Sequence, residues 1–252
     1  MTSHWHLSQN HLNILETCPP IFQKIYLQQL KSPFNVIQEE KTQWGKQFHL
    51  LMQQHNLGLS IEEIHTDNEE LKISVKALIN ATANIWNSED IFEKRAEFQV
   101  NHTIKNFLFT SVYDLLILYK NKAVIFDWKT YLKPQNEQTL INNWQTKLYL
   151  YILAEKLNYK PHQISFTYWF VKIPNEPQKY TIKYNKTKHE QTKKELHILL
   201  EKLDYLTREY VENKVNFPHH QNCNNCPYRH NFPNLLTELE LAQNLPTSLD
   251  EI

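Results

Sequence analysis

Two apolar segments with almost nothing between them limit what this chain can fold into: Phe107–Tyr119 (FLFTSVYDLLILY) and Lys122–Thr130 (KAVIFDWKT). Both are rich in Val, Ile, Phe and Tyr, the composition of strands. The few residues around Asn121 that separate them fit a hairpin loop. Each predicted strand interrupts its apolar run with an acid, Asp114 before LLIL and Asp127 after AVIF. A strand repeats every two residues, so Asp127 and Lys129 share a face while Trp128 points away. Two carboxylates and an ammonium beside an apolar core are costly unless paired or bound to a metal. Two such carboxylates take a hard divalent cation, and a lysine next to the reacting phosphate makes a phosphodiester hydrolysis site. The plainer alternative is a surface ion pair between Asp127 and Lys129 at the strand ends.

Around this pair the pattern alternates between helices and strands. Ser8–Leu30 is a helix candidate broken or kinked at Cys18-Pro19-Pro20. Glu40–Leu57 is another, and Asp67–Trp86 a third with Asp67 as its N-cap. Ala96–Ile104 alternates as a strand does. Thr139–Asn158 reads as an amphipathic helix, Ile164–Ile173 and Lys179–Tyr184 as strands, and Thr187–Asn213 as a long charged helix. A loop containing Cys223 and Cys226, a short helix and a polar tail follow. The expected fold is α/β, a central mixed sheet flanked by helices with an N-terminal helical lobe. The expected organisation is one domain over residues 1–252: a helical lobe to residue 90, a core over 91–215 and a Cys-containing segment over 216–252.

Composition narrows the function class. Lysines and arginines number 27 against 27 acids, so a general non-specific duplex binder is disfavoured. A local patch such as Lys183–Lys194 (KYNKTKHEQTKK) would still serve a nucleic acid, although the solvated first turns of a helix look the same. No apolar run approaches the ~18 residues of a membrane span. The start of the chain lacks a basic stretch leading into an apolar one, so a cytoplasmic location is expected. Three cysteines, an odd number, argue against a disulfide framework. A phosphate-binding GxxxxGK[ST] loop is absent from the sequence, so any motor must come from another chain.

The strand–strand–helix order with D…DxK resembles the PD-(D/E)XK nuclease superfamily, and within it the RecB-like and AddB-like exonuclease branch. That branch has QxxxY on the next helix, matched by Gln145-Thr-Lys-Leu-Tyr149, and G-x-x-x-H upstream, matched by Gly45-Lys-Gln-Phe-His49. Its opening helix ending in Cys-Pro is similar to LNILETCPPIFQKIYL, and its C-terminal cysteine pair to Cys223 and Cys226. The resemblance runs from about residue 7 to residue 232. It implies a restriction-endonuclease-like sheet. It also implies Asp114 and Asp127 as ligands of Mg²⁺ or Mn²⁺, with the Trp128 carbonyl beside them. Lys129 would orient the attacking water and stabilise the transition state. His49 is a further candidate ligand, or else a polar residue on a helix face. Glu97 is a candidate third carboxylate, or a surface strand residue. Gln145 and Tyr149 stand one turn apart on one helix face and would help hold the substrate strand or Lys129; alternatively Tyr149 is core and Gln145 solvated.

Two departures accompany the resemblance. Where the branch has G-x-x-D, this chain has Ser111-Val112-Tyr113 before Asp114. Its iron–sulfur members hold a cluster with four cysteines, and here only Cys18, Cys223 and Cys226 exist, with Phe232 where the last would fall. His230, or His219 or His220, would complete a three-cysteine zinc site instead; an atypical iron–sulfur cluster and an eroded site are the other options. The expected function is a metal-dependent DNA nuclease, an exonuclease on single-stranded ends in repair or recombination, with a helicase or repair-complex partner. Trp128, Trp144 and Tyr131 are candidates for stacking on bases. The competing readings are a catalytically weak or inactive nuclease-fold protein that binds nucleic acid or a partner, and a metal-stapled module of a repair complex.

Overall fold

A computed structural model describes residues 5–30, 36–59, 68–86, 89–133, 136–173 and 175–219 of the 252. The strands are β1 (Trp5–Leu7), β2 (Ile91–Ile104), β3 (Phe107–Tyr119), β4 (Ala123–Lys129), β5 (Ile164–Phe170) and β6 (Gln178–Lys183). They form one mixed sheet in the order β1-β3-β4-β5-β6, with β2 also paired to β3. β3 organises it. Along one edge β3 runs antiparallel to β2, from Ile104 opposite Phe107 to Ile91 opposite Tyr119. Its other edge is shared between two strands. Parallel β1 takes Phe107–Phe109, and antiparallel β4 takes Leu115–Leu118. Among the described residues, 110–114 therefore leave that edge open between β1 and β4. Asp114 stands at the inner corner of this fork.

Helices cover both faces, and this is why β3 reads as an unbroken apolar run: every residue from Tyr113 to Tyr119 is buried. On one face lie α1 (Gln9–Thr17), α6 (Trp144–Lys156) and α7 (Lys186–Asn213). Leu12, Leu15, Phe22, Leu148, Ile152 and Leu200 join Tyr113 and Phe166 in the larger core there. On the other face α3 (Val36–Asn56) and α4 (Glu69–Trp86) pack Phe48, Met52 and Leu78 onto Leu115, Trp128 and Trp169. Phe48 is fully buried, so Phe48→Ala would cost about 3–5 kcal/mol.

Several local features differ from expectation. The first helix does stop at Cys18, after which α2 (Pro19–Phe22) and a π-helical turn (Gln23–Leu27) follow. α4 is capped by Asn68, whose Oδ1 accepts the Leu71 N–H at 3.0 Å; Asp67 lies outside the described residues. β2 starts five residues before Ala96, in a stretch where Arg95 pairs with Glu93 at 2.7 Å. β1 was not legible because three residues are too few for a periodic signal. The predicted helix Thr139–Asn158 is two helices, α5 (Gln138–Asn142) and α6, broken at Asn143, whose backbone is extended. Nor is α6 amphipathic: α1 and α7 pack over its outer side, and nine of its residues are buried.

The two ends of the described chain meet beside Cys18. Gln23 donates to Asn216 Oδ1 at 2.7 Å and accepts from the Phe217 N–H at 2.6 Å, and Phe22 stacks on Phe217. Cys18 itself is buried. Cys223, Cys226, His220, His230 and Phe232 lie outside the described residues, and His219 is exposed. Lys183–Lys194 runs from the end of β6 into the first turns of α7, with Lys183, Lys186, Lys193 and Lys194 exposed and Tyr184, His189 and Thr192 buried.

Candidate active site

β4 parts from β3 beyond the Leu115–Phe126 pair and continues alongside β5 to Lys129 opposite Phe170. The next pair across the ladder would be Asp114 and Asp127. Here the Asp114 side chain takes over: its Oδ2 accepts the Trp128 N–H at 2.6 Å. A charge-assisted bond thus satisfies a backbone donor that the departing strand would leave bare. The same bond fixes Asp114, 3% exposed, beside the DxK segment.

On the α6 side the polar groups close a ring. Gln145 Nε2 donates to Asp127 Oδ1 at 2.6 Å, and Lys129 Nζ donates to Gln145 Oε1 at 2.8 Å. Lys129 Nζ also stands 2.9 Å from Asp127 Oδ2. Asp127 is 2% exposed and the Lys129 side chain 14%. Burying that carboxylate is tolerable because a cation and an amide meet it. Gln145 reaches the ring because the chain breaks at Asn143. The Asn143 side chain accepts the Gln145 N–H at 2.8 Å, restarting the helix. Asn13 of α1 clamps the break from outside, donating to Asn143 Oδ1 at 3.2 Å and accepting the Trp144 N–H at 3.1 Å. Gln145 therefore lies in the first turn of α6, aimed at β4. Tyr149, one turn on, packs between Tyr113 and Phe166.

On the α3 side the contacts are looser. His49 Nδ1 is 3.3 Å from Asp114 Oδ1, with the imidazole 29% exposed. Gly45 lies one turn earlier on the same helix face. A Cβ there would sit 3.2 Å from Thr130 Oγ1. The glycine lets α3 press against the end of β4, which carries His49 to Asp114. Glu97 arrives from β2. Its neighbours Ala96 and Phe98 oppose Leu115 and Tyr113, so it lies across from Asp114. Its backbone is left-handed, φ 46°, an unusual state for a non-glycine residue in a strand.

His49, Glu97 and Asp114 each bring a donor atom, all within 4.8 Å of one another. Two carboxylate oxygens and an imidazole nitrogen fit a divalent cation. Without one, the two carboxylates repel. Asp127 stands on the neighbouring strand, held by Lys129 and Gln145 rather than grouped with the other three.

Beneath the ring, Tyr168 is fully buried and shares a 2.7 Å hydrogen bond with Thr146 Oγ1. Burial, and then the charge of Asp127, push its phenol well above the usual range, so it is a neutral floor 5.6 Å from Lys129 Nζ. Burial likewise raises Tyr113, whose hydroxyl donates to the Tyr149 carbonyl at 3.1 Å. The bulk of Tyr113 beside the first acid is thus directed under α6. Of the three aromatics considered for base stacking, Trp128 and Trp144 are buried and Tyr131 is 37% exposed. Sequence reasoning missed Asn13, Asn143 and Thr130, which carry no chemistry themselves and are legible only through what they position.

A family model for the PD-(D/E)XK nuclease superfamily matches residues 6–231. The chain belongs to this superfamily. A fork between two strands, with an acid on one and DxK on the other, is the arrangement its name encodes. The mixed sheet flanked by helices has the restriction-endonuclease-like form. Superfamily membership makes the chain's class that of a nuclease, with nucleic acid as substrate and divalent metal as cofactor. The crystal structure of a presumed exonuclease from Eubacterium rectale aligns at a TM-score of 0.51 with 11% identity, covering 86% of this chain and 84% of that one. A second crystal structure, SSO0001, aligns at a TM-score of 0.37 with 11% identity over 85% of this chain and 84% of its own. No curated protein matches the chain. Among the described residues no helix is long and apolar enough to cross a membrane.

Proposed function

We propose that this PD-(D/E)XK chain is a Mg²⁺- or Mn²⁺-dependent deoxyribonuclease that attacks DNA from single-stranded ends. The observation that carries the reading is the hydrogen-bonded ring of Asp127, Lys129 and Gln145, little exposed and set beside buried Asp114. A half-buried lysine clamped at two oxygens is arranged for a reacting anion rather than for solubility. A divalent cation, when bound, supplies Lewis acidity and neutralises charge on the phosphate.

The chain's own groups have separable tasks. Asp114, with His49 and Glu97, would hold the cation, and Asp127 would fix Lys129 and Gln145 beside it. Lys129 orients the attacking water and neutralises charge that builds on the phosphate oxygens. Gln145 does not react; it holds Lys129 and Asp127 in one geometry, so neither must reorganise during the reaction. Attack from strand ends is the activity presumed for the E. rectale protein, and it supports a preference for ends here.

The test is degradation of end-labelled single- and double-stranded DNA with Mg²⁺ or Mn²⁺, comparing wild type, Lys129→Ala and Asp127→Ala. Metal-dependent cleavage lost in both variants supports the reading, and the labelled end gives the polarity. A folded wild type that binds DNA and cuts neither substrate refutes it in favour of a binding role.

A further inference from the structure

The DxK end of β4 has two neighbours that the catalytic ring does not use. The first comes from β5 and α3. The Val171 N–H donates to the Lys129 carbonyl at 2.9 Å, so Lys172 is the next residue past the end of the β4–β5 ladder. Lys172 Nζ lies 5.4 Å from the centre of the Trp44 ring, and Trp44 stacks on Phe48 with ring centres 5.6 Å apart. Glu70 stands 3.9 Å from the ammonium, and both side chains are about half exposed. Lys46, exposed and three residues before His49, projects on the same side of α3. The second neighbour is Tyr131, two residues beyond Lys129. Its ring meets the edge of Phe170 at 5.8 Å, and its phenol feels the charges of both Asp127 and Lys129.

These two features lie on opposite faces of the sheet. Trp44 packs against the core under α3 and α4, while Phe170 belongs to the core under α1, α6 and α7. A chain laid across the ends of β4 and β5, with one phosphate at Lys129, passes a cation on one side and an accessible aromatic ring on the other. Trp128 and Trp144, at 2% and 0% exposure, cannot offer a ring to such a chain.

We propose that Lys172, on its Trp44 platform, and Tyr131 form a subsite for the nucleotide flanking the scissile phosphate of a single strand. Lys172 takes that nucleotide's phosphate and Tyr131 stacks on its base. The chemistry follows from the parts. An ammonium half in water meets a phosphate at little desolvation cost and releases a counterion. A part-exposed aromatic ring stacks any base, which demands that the base be unpaired. The subsite rests on the nuclease reading for its register, since Lys129 defines which phosphate is central.

The test is binding of a fluorescent ten-residue oligothymidylate to the full chain in EDTA, followed by anisotropy over a range of salt. Lys172→Ala should lower the slope of log Kd against log salt by about 0.7, and Lys172→Arg should restore it. Tyr131→Leu, which keeps the apolar contact with Phe170, should weaken binding at least ~5-fold with the slope unchanged. A blunt duplex should be insensitive to Tyr131→Leu. Binding and slope unchanged in both variants, equal sensitivity of the duplex to Tyr131→Leu, or no binding by the wild type would each overturn the subsite. Metal-dependent cleavage, scored in parallel, separates the two ideas. Binding that depends on Lys172 and Tyr131 without cleavage removes the nuclease reading and leaves the surface; cleavage with unaffected binding does the reverse.

Discussion

The two halves of the site are built on different principles. In the α6 half, Asp127, Lys129 and Gln145 satisfy one another at 2.6–2.9 Å and are nearly shut off from solvent. In the α3 half, His49 and Asp114 stand 3.3 Å apart, the imidazole is partly exposed, and two carboxylates share a small space. One half is closed by the chain's own groups; the other would be completed by a cation. A site divided in this way keeps its reactive lysine in register whether or not metal is present. Its acids, meanwhile, have reason to bind metal, because a cation between them relieves their mutual repulsion.

The largest effects should come from breaking the closed half. Lys129→Ala should lower turnover at least ~10³-fold. It should also cost about 3 kcal/mol of stability in chemical denaturation, because it takes the ammonium away from a buried carboxylate. Adding Asp127→Asn to that variant should recover most of the stability and none of the activity. A Lys129→Ala protein as stable as the wild type would mean that the ring is not preformed. The open half should respond in the opposite sense. Asp114→Asn without metal should melt at the wild-type temperature or a few degrees above it, since a repulsion is removed and an acceptor for Trp128 remains. It should lose the rise in melting temperature that Mg²⁺ or Mn²⁺ gives the wild type, together with at least ~10²-fold of activity. A metal-induced rise that survives Asp114→Asn would place the cation elsewhere.

A smaller effect should separate position from chemistry. Gly45→Ala adds a Cβ 3.2 Å from Thr130 Oγ1. Alanine favours the helix by ~0.5–1 kcal/mol, which offsets much of the crowding, so stability should change by less than about 1 kcal/mol. Yet α3 must retreat, and His49 with it, so activity should fall about 10-fold. Removing the obstacle in a Gly45→Ala/Thr130→Ala double variant should restore it. If the double variant stays as slow as the single, the glycine is not acting through Thr130.

What the sequence made legible follows the same division. The hairpin, both acids and the shared face of Asp127 and Lys129 came from period and composition, because each signal lies within one strand or between neighbours. Gln145 came through the family resemblance, from the QxxxY pattern it forms with Tyr149. The fork was hidden, since it arises from β1, three residues at the far start of the chain that claim one stretch of the β3 edge. The break at Asn143 was hidden for a similar reason: Asn13, 130 residues away, holds it. Helical periodicity over Thr139–Asn158 could not register a restart that a tertiary contact enforces. The burial of α6 was hidden too, because packing on nearly all sides erases the polar stripe by which a surface helix is recognised.

Glu97 offers the finest test of the comparison. It is the one residue of either half with a left-handed backbone, φ 46°, and it belongs to the open half. For an ordinary side chain that conformation costs about 1–2 kcal/mol. Asparagine tolerates it better than glutamine does. Glu97→Asn and Glu97→Gln both remove the carboxylate, so they should lose metal affinity alike, by about 10-fold each, in a titration followed by thermal shift. They should part in stability: Glu97→Asn should be about 1 kcal/mol more stable than Glu97→Gln by denaturant unfolding. Equal stabilities would show that the strand carries no strain at this position and that Glu97 is placed by its contacts alone. A stability gap with equal metal affinities would show that strain is concentrated where the cation binds. The closed half, which binds its own cation as Lys129, then needs none.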